Sequence, residues 1–299
     1  MKWEKCDFHY RPDSLLGYAA LPFILKQENG VKVFFHNRDE KNRSVIQSVD
    51  LSINGENITL LSENLEVMFK HGSSGNFDDA GVMGCHLSQI HDKSILYYVG
   101  WNISHAVPFR NAIGVAEFSN NSFSRIYKGP ILDRSIYDPC MVASNCIIKK
   151  GDLYIMYYLS CDSWQKKNDS LMHNYNIKIA YSSDGITWDR KGEIAIDYLY
   201  ENEYAISVPR VMEIDGIYKM WYSYRGGKVS DFYRIGYAES EDAIHWIRKD
   251  AELTSDLGQS DWDSEMQCYP YVFNWENEFY MIYNGNGYGK TGFGIAIKR

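Results

Sequence analysis

The sequence lacks most of the landmarks that announce an activity. It has no CxxC spacing, no HExxH, no P-loop, no dinucleotide fingerprint and no nucleophile-elbow phrase. Zinc, nucleotide-phosphate and triad chemistries therefore have no local signature here. No basic run occurs, and the formal net charge is −8, which argues against binding a polyanion such as nucleic acid. No stretch approaches the roughly 18 apolar residues of a membrane span. The opening Met1-Lys-Trp-Glu-Lys-Cys-Asp7 has no apolar segment of signal-peptide type. Amphipathic helices and low-complexity tracts are missing as well. Six cysteines (6, 85, 140, 146, 161 and 268) lie scattered and read as free thiols of a reducing compartment. The expectation is a cytoplasmic protein with no nucleic-acid or membrane partner, no metal and no cofactor.

What the chain does have is aromatic residues, 15% of its 299 positions, including 24 Tyr and 8 Trp. They fall in short runs with β-branched neighbours, bounded by Gly, Asp, Asn or Ser, the pattern of strands joined by hairpins. Between Tyr204 and Lys249 four such runs follow one another, with a turn at Asp215-Gly216. The second run recurs as Val31–Arg38, Ile95–Trp101, Leu153–Tyr158 and Phe279–Tyr283. The third recurs as Ser44–Ser48, Ala112–Ala116, Ile177–Tyr181 and Gly292–Ala296. Tyrosines 97, 154, 218 and 280 of the second run step by 57, 64 and 62 residues. A four-strand unit repeated five times at this period predicts a five-bladed β-propeller, all-β, with four-stranded antiparallel blades. A large β-sandwich also has many short strands, but has no reason to repeat their order.

One domain over 1–299 is expected, with blades at about 17–70, 77–132, 137–199, 203–253 and 264–299. The last blade shows only three strands. The N-terminal Lys2–Cys6 segment is predicted to supply its outer strand and so remove two exposed edges. The insertion from Cys161 to Asn176 reads as a polar loop over one face, with Trp164 and His173 available to a site. The Gly-rich Asn284–Gly289 reads as a tight turn.

Acids precede every predicted inner strand: Asp13, Asp78 and Asp79, Asp138, Glu201 and Glu203, and Glu265. In a propeller these positions converge on one mouth of the central channel, which suits a pocket for a small polar ligand. A pair of facing carboxyl groups is the equipment of glycosidic cleavage, one donating a proton and the other activating water or attacking carbon. Sugar sites also use aromatic faces and Arg or His for hydroxyls. Trp101, Tyr204, Tyr269, Arg210, Arg225, His86 and the Arg38-Asp39…Arg43-Ser44 cluster are available for that.

The segment Val33-Phe-Phe-His-Asn-Arg38-Asp39…Arg43-Ser44-Val-Ile46 resembles the first blade of glycoside hydrolase family 130. Ile179-Ala-Tyr-Ser-Ser-Asp-Gly-Ile-Thr-Trp188 and Ile235-Gly-Tyr-Ala-Glu-Ser…His245-Trp246 resemble a phrase common to the five-bladed propeller glycosidases of families 43, 32, 68 and 130. The resemblance implies a carbohydrate-active enzyme, hydrolase or phosphorylase, acting on an oligosaccharide or glycoside, with phosphate as the second substrate in the latter case. By position it implies Asp79 as general acid, with Asp138 and Glu265 flanking the sugar. Substrate contacts would come from Arg38, Asp39, Arg43, Asp78, His86, Trp101, Glu203, Arg210, Arg225 and Tyr269. Two departures stand out. Gly17-Tyr-Ala-Ala-Leu-Pro22 carries no first-blade acid, and Asp78-Asp79-Ala-Gly-Val-Met-Gly84 lacks the Pro-Arg of family 130. They keep open a non-catalytic carbohydrate-binding propeller and a propeller-type glycosyltransferase of polysaccharide biosynthesis.

Overall fold

The computed structural model describes residues 1–13, 17–167, 170–227 and 230–299. It is built almost wholly of strands in five antiparallel units. The first comprises Ala20–Gln27, Gly30–Arg38, Ser44–Asn54 and Asn57–Phe69; the second Gly81–Ile90, Lys93–Ile103, Phe109–Ser119 and Ser122–Arg125. The third comprises Met141–Lys150, Leu153–Lys167, Ser170–Ser182 and Asp189–Ile196; the fourth Glu203–Ile214, Ile217–Gly226, Ser230–Ser240 and Ile247–Arg248. The fifth joins Cys268–Trp275, Glu278–Asn284 and Phe293–Lys298 to the N-terminal Lys2–Tyr10.

Two-residue turns set the register of several hairpins. Asn120-Asn121, Asp215-Gly216 and Glu276-Asn277 all take positive φ at both positions, the twist that antiparallel partners favour. The repeated Ser-x-Asp phrase is also a turn device: Asp184 and Asp242 each accept two backbone N–H groups from residues just ahead.

The first strands of the five units touch one another in a closed cycle, the fifth meeting the first. Second strands are therefore covered on both faces, and Gly30–Asn37 is buried without interruption. Apolar clusters fill the spaces between neighbouring units, and one more, around Val99, Met141, Leu159, Tyr175 and Tyr233, sits at the axis. The N-terminal strand pairs with the last strand, Trp3 opposite Lys298. Trp3 is fully buried and meets Trp221 of the fourth unit edge-on at 6.1 Å. This apolar contact ties the fifth unit to the fourth.

One expectation is corrected. The insertion after Cys161 is not a loop: Trp164 pairs with His173 and Lys166 with Leu171, so the second and third strands of that unit simply run on. Its tip at 168–169 lies outside the described residues, as do 14–16 and 228–229.

Candidate functional site

The acids that lead into the first strands do not converge as expected. Asp78 is fully buried and takes Arg125 at 2.6 Å and the Tyr98 hydroxyl at 3.2 Å. Asp138 is equally buried, and both its oxygens are occupied: by the Tyr158 hydroxyl at 3.1 Å, and by Arg190 and Ser135 at 2.8 and 2.7 Å. Glu203 accepts Arg248 at 2.8 Å and the backbone N–H of Leu199 and Tyr200. Arg248 also holds Asp250, which receives the Tyr222 hydroxyl at 2.6 Å. In the fifth unit Asp263 binds Tyr283 at 2.8 Å and Lys5 at 3.3 Å.

Four units thus repeat one device. A linker acid, a second-strand tyrosine and an outer-strand cation lock together inside the unit. A carboxylate leaves water at a high cost unless its charge is matched, and the outer strand brings the match, although Asp78 Oδ1 and Glu203 Oε1 have no hydrogen-bond partner among the described residues. Asp78, Asp138 and Glu203 are therefore held by partners of their own units. The sequence signal was the cation two residues past a tryptophan, in Trp188-Asp-Arg190 and Trp246-Ile-Arg248.

Asp79 and Glu265 are outside these locks. Asp79 is half-buried and accepts the Gly75 N–H at 2.8 Å. Glu265 is exposed, while its backbone is held by Asn286 and Arg234. No hydrogen bond or ion pair joins Asp79, Asp138 and Glu265 among the described residues.

At the axis, all five first strands bulge near the same depth. In three of them Leu21, Val208 and Tyr269 adopt φ of 50°, 52° and 56°, each just before a proline. Such a conformation is costly for a side chain with a Cβ, above all for a β-branched one. Neighbouring units hold it in place: Asn284, Ser144 and Ser223 accept the N–H of Leu21, Val208 and Tyr269 at 2.9, 2.9 and 2.7 Å. Strain held by its surroundings is typical of a ligand site.

These residues open onto a cavity of about 160 Å³, to which all five first strands contribute. Met83, Met141, Tyr175, Tyr233 and Tyr269 form its walls; Asn111, Ser144, His173 and Ser207 are polar side chains in it; among the described residues no carboxylate lines it. Larger cavities, of about 470 and 620 Å³, lie elsewhere, along the edges of the third and fourth units near His245 and Tyr181. They are served by one or two units, whereas the axial cavity gathers groups from all five.

Around the axial cavity the structure assembles cations and rings. Arg225 lies over Tyr233 at 4.5 Å, Tyr204 at 5.2 Å and Tyr288 at 5.7 Å, and donates to the Tyr288 hydroxyl at 2.6 Å. His173 stacks on Tyr175 at 4.8 Å. Burial, and then the Arg225 charge, push its pKa down to about 4, so the ring is neutral near pH 7. The Tyr175 and Tyr233 hydroxyls hydrogen-bond each other. Deeper on the same first strands, Arg210 covers Tyr271 at 4.2 Å and donates to the Val272 carbonyl at 2.8 Å and to His86 at 3.2 Å. Burial, and then Arg210, hold His86 well below its usual range, leaving Nδ1 a lone pair to accept that bond. Arg38 lies over Trp101 at 5.3 Å and Tyr18 at 5.8 Å, and Trp101 donates to Ser44. Asp39 and Arg43 pair with each other at 2.8 Å.

So Arg225 and Tyr269 come together near the cavity, Arg210 with His86 beneath it, and Arg38 with Trp101 in a cluster of its own. The sequence reading passed over Tyr175, Tyr233 and Asn111. All three stand five residues before the alanine that closes the third-strand phrase (Ala180, Ala238 and Ala116). Aligning the repeats on that alanine would have found them.

Comparison with known proteins gives a consistent fold. No family model matches the chain. The chain is 34% identical, over 99% of both lengths, to the uncharacterized protein Rv1502 of Mycobacterium tuberculosis strain H37Rv. A 75-residue stretch, 25% of each chain, is 39% identical to a 1,2-beta-oligomannan phosphorylase of Thermoanaerobacter sp. strain X514. Among solved structures it resembles a glycoside hydrolase at a TM-score of 0.73 (15% identity, 98% of this chain and 91% of that one). It also resembles the Bombyx mori GH32 beta-fructofuranosidase BmSUC1 (0.67, 14%, 97% and 61%) and the endo-arabinase of Bacteroides thetaiotaomicron VPI-5482 (0.61, 14%, 98% and 98%). The all-β fold is that of the five-bladed propeller glycosidases.

Proposed function

This chain belongs to the family of the uncharacterized Mycobacterium tuberculosis protein Rv1502, and we propose that it is a propeller that recognises a carbohydrate at the mouth of its central channel. Each four-strand unit is one blade, and the N-terminal strand completes the fifth. The observation that carries the reading is the axial cavity. Strands of all five units serve it, aromatic faces and neutral hydrogen-bonding groups line it, and among the described residues no carboxylate does. Such a surface suits sugar rings and hydroxyls. Among the described residues it lacks the facing acid pair that most glycoside hydrolases use, and Asp78, Asp138 and Glu203 are engaged by arginines. The six unpaired thiols support a cytoplasmic location.

A second reading is supported by the match to the oligomannan phosphorylase and by the two acids left outside the locks. In it, Asp79 and Glu265 act on a glycosidic bond, with phosphate or water as acceptor. Incubation with β-1,2-linked mannan oligosaccharides, with and without inorganic phosphate, separates the two. Saturable binding without product favours recognition. Product formation that disappears in Asp79→Asn and Glu265→Gln, both still folded, favours catalysis. If neither binding nor product is found with these or other oligosaccharides, both readings fail.

A further inference from the structure

We propose that the sugar taken at the axial mouth carries a negative charge, as a carboxylate or a phosphate, and that Arg225 is the group that meets it. The proposal rests on the carbohydrate reading above and adds the chemical class of the ligand.

Six arginines of this chain fall into two contrasting sets. Those on outer strands, Arg125, Arg190 and Arg248, are each matched by a buried carboxylate. Those toward the axis are not. Among the described residues Arg38, Arg210 and Arg225 have no carboxylate in ion-pair range; aromatic rings, carbonyls and a neutral histidine surround them. Acidic residues outnumber Lys and Arg by 39 to 31, so a chance neighbour for a guanidinium would more often be an acid. The described lining of the axial cavity nevertheless holds none of them.

Of the three, Arg225 is the one with a buried nitrogen left without a partner among the described residues. Tyr204, Tyr233 and Tyr288 cover it, Nη1 donates to Tyr288, and Nε is buried with no hydrogen-bond partner. A ring face returns only part of what a guanidinium loses on leaving water. The missing partner is an anion with paired oxygens, which the planar fork fits and which a carboxylate or a phosphate supplies alike. Close by, His173 Nδ1 and Asn111 Oδ1 are also buried without partners, and both line the cavity, where they can meet ring hydroxyls. Arg210 lies deeper on the same strands, so positive potential continues beneath the cavity instead of ending at the rim. At about 160 Å³ the space is smaller than the roughly 300–1,000 Å³ of drug-sized sites. It accommodates one ring or its charged substituent and leaves the remainder of a longer glycan outside.

The test is calorimetric titration of the full chain with glucose, glucuronate, glucose 1-phosphate and inorganic phosphate, at low and at high salt. The expected result is that at least one charged sugar binds about tenfold more tightly than glucose, ~1.4 kcal/mol, with the advantage shrinking as salt rises. Glucuronate against glucose 1-phosphate tells which anion is preferred. Arg225→Met should abolish the preference, and Arg225→Lys should keep part of it, with circular dichroism reporting the fold. Glucose binding as tightly as the charged sugars would overturn the inference and leave carbohydrate recognition standing. Binding of inorganic phosphate alone would overturn it by reducing the site to one for a small anion. Failure of every sugar would remove both. A folded Arg225→Met that keeps the preference would overturn the assignment to Arg225. If neither variant folds, the wild-type comparison at two salt levels decides.

Discussion

Tyr158 donates its hydroxyl to Asp138 at 3.1 Å across a sequence gap of 20 residues. The same gap separates Tyr98 from Asp78 and Tyr283 from Asp263. A spacing kept in three units belongs to the scaffold, because each unit needs its linker fastened to its second strand. A catalytic role would call for one or two unique acids. Two demands thus divide the acids of this chain: stability takes Asp78, Asp138, Glu203 and Asp263, and leaves Asp79 and Glu265 unclaimed.

Asp138→Asn tests this directly. It keeps the shape but leaves the mostly buried Arg190 uncompensated, at an expected cost of about 3 kcal/mol. Urea unfolding measures the loss, and ligand binding should persist in the variant. Wild-type stability combined with abolished binding would return Asp138 to the site.

Closure of the ring depends on Trp3. Trp3→Ala removes a fully buried indole from its contact with Trp221 and should cost about 3–5 kcal/mol. Thermal unfolding, together with protease sensitivity of the first ten residues, would report it. An unchanged melting temperature would mean that the N-terminal strand is dispensable.

Gly236 lies over the Tyr222 ring. A Cβ there would stand 2.3 Å from the ring and 2.8 Å from Asp250 Oδ1, and neither neighbour has room to retreat. Gly236→Ala should destabilise by about 1–3 kcal/mol. Gly129→Ala meets nothing within 4 Å and serves as the control, expected to be neutral. Equal stability of the two variants would contradict the packing described for the fourth unit.

Acid should destabilise the fold through its buried histidines. His173 is held to about 4 in the folded chain, against an ordinary value of 6.5. Between those values the unfolded chain binds a proton that the folded one does not, so stability falls as pH drops below about 6.5. The deficit from this residue is on the order of 3 kcal/mol once pH is below about 4. His36 and His86, also depressed mainly by burial, add in the same direction. Urea midpoints at pH 7 and pH 5 should differ, and His173→Gln should reduce the difference. An identical slope in that variant would show that His173 does not titrate as described.

The repeat, the hairpins and the N-terminal strand that completes the last sheet were legible in the sequence because each is a local or periodic matter. Alternation, turn residues and a missing fourth strand can be read without knowing what lies across the ring. The candidate acids could also be found that way, but not their partners. Whether Asp138 is held within its own unit depends on Arg190, 52 residues later in the chain, and only folding sets that distance to 2.8 Å. The Tyr204–Tyr233–Tyr288 cage around Arg225 has the same origin. Its members lie in different strands and turns, and the closed ring alone brings them to one cation. Sequence determined the units, since strand pairing obeys near neighbours. Tertiary structure decided the site, since a buried charge settles wherever its partner arrives.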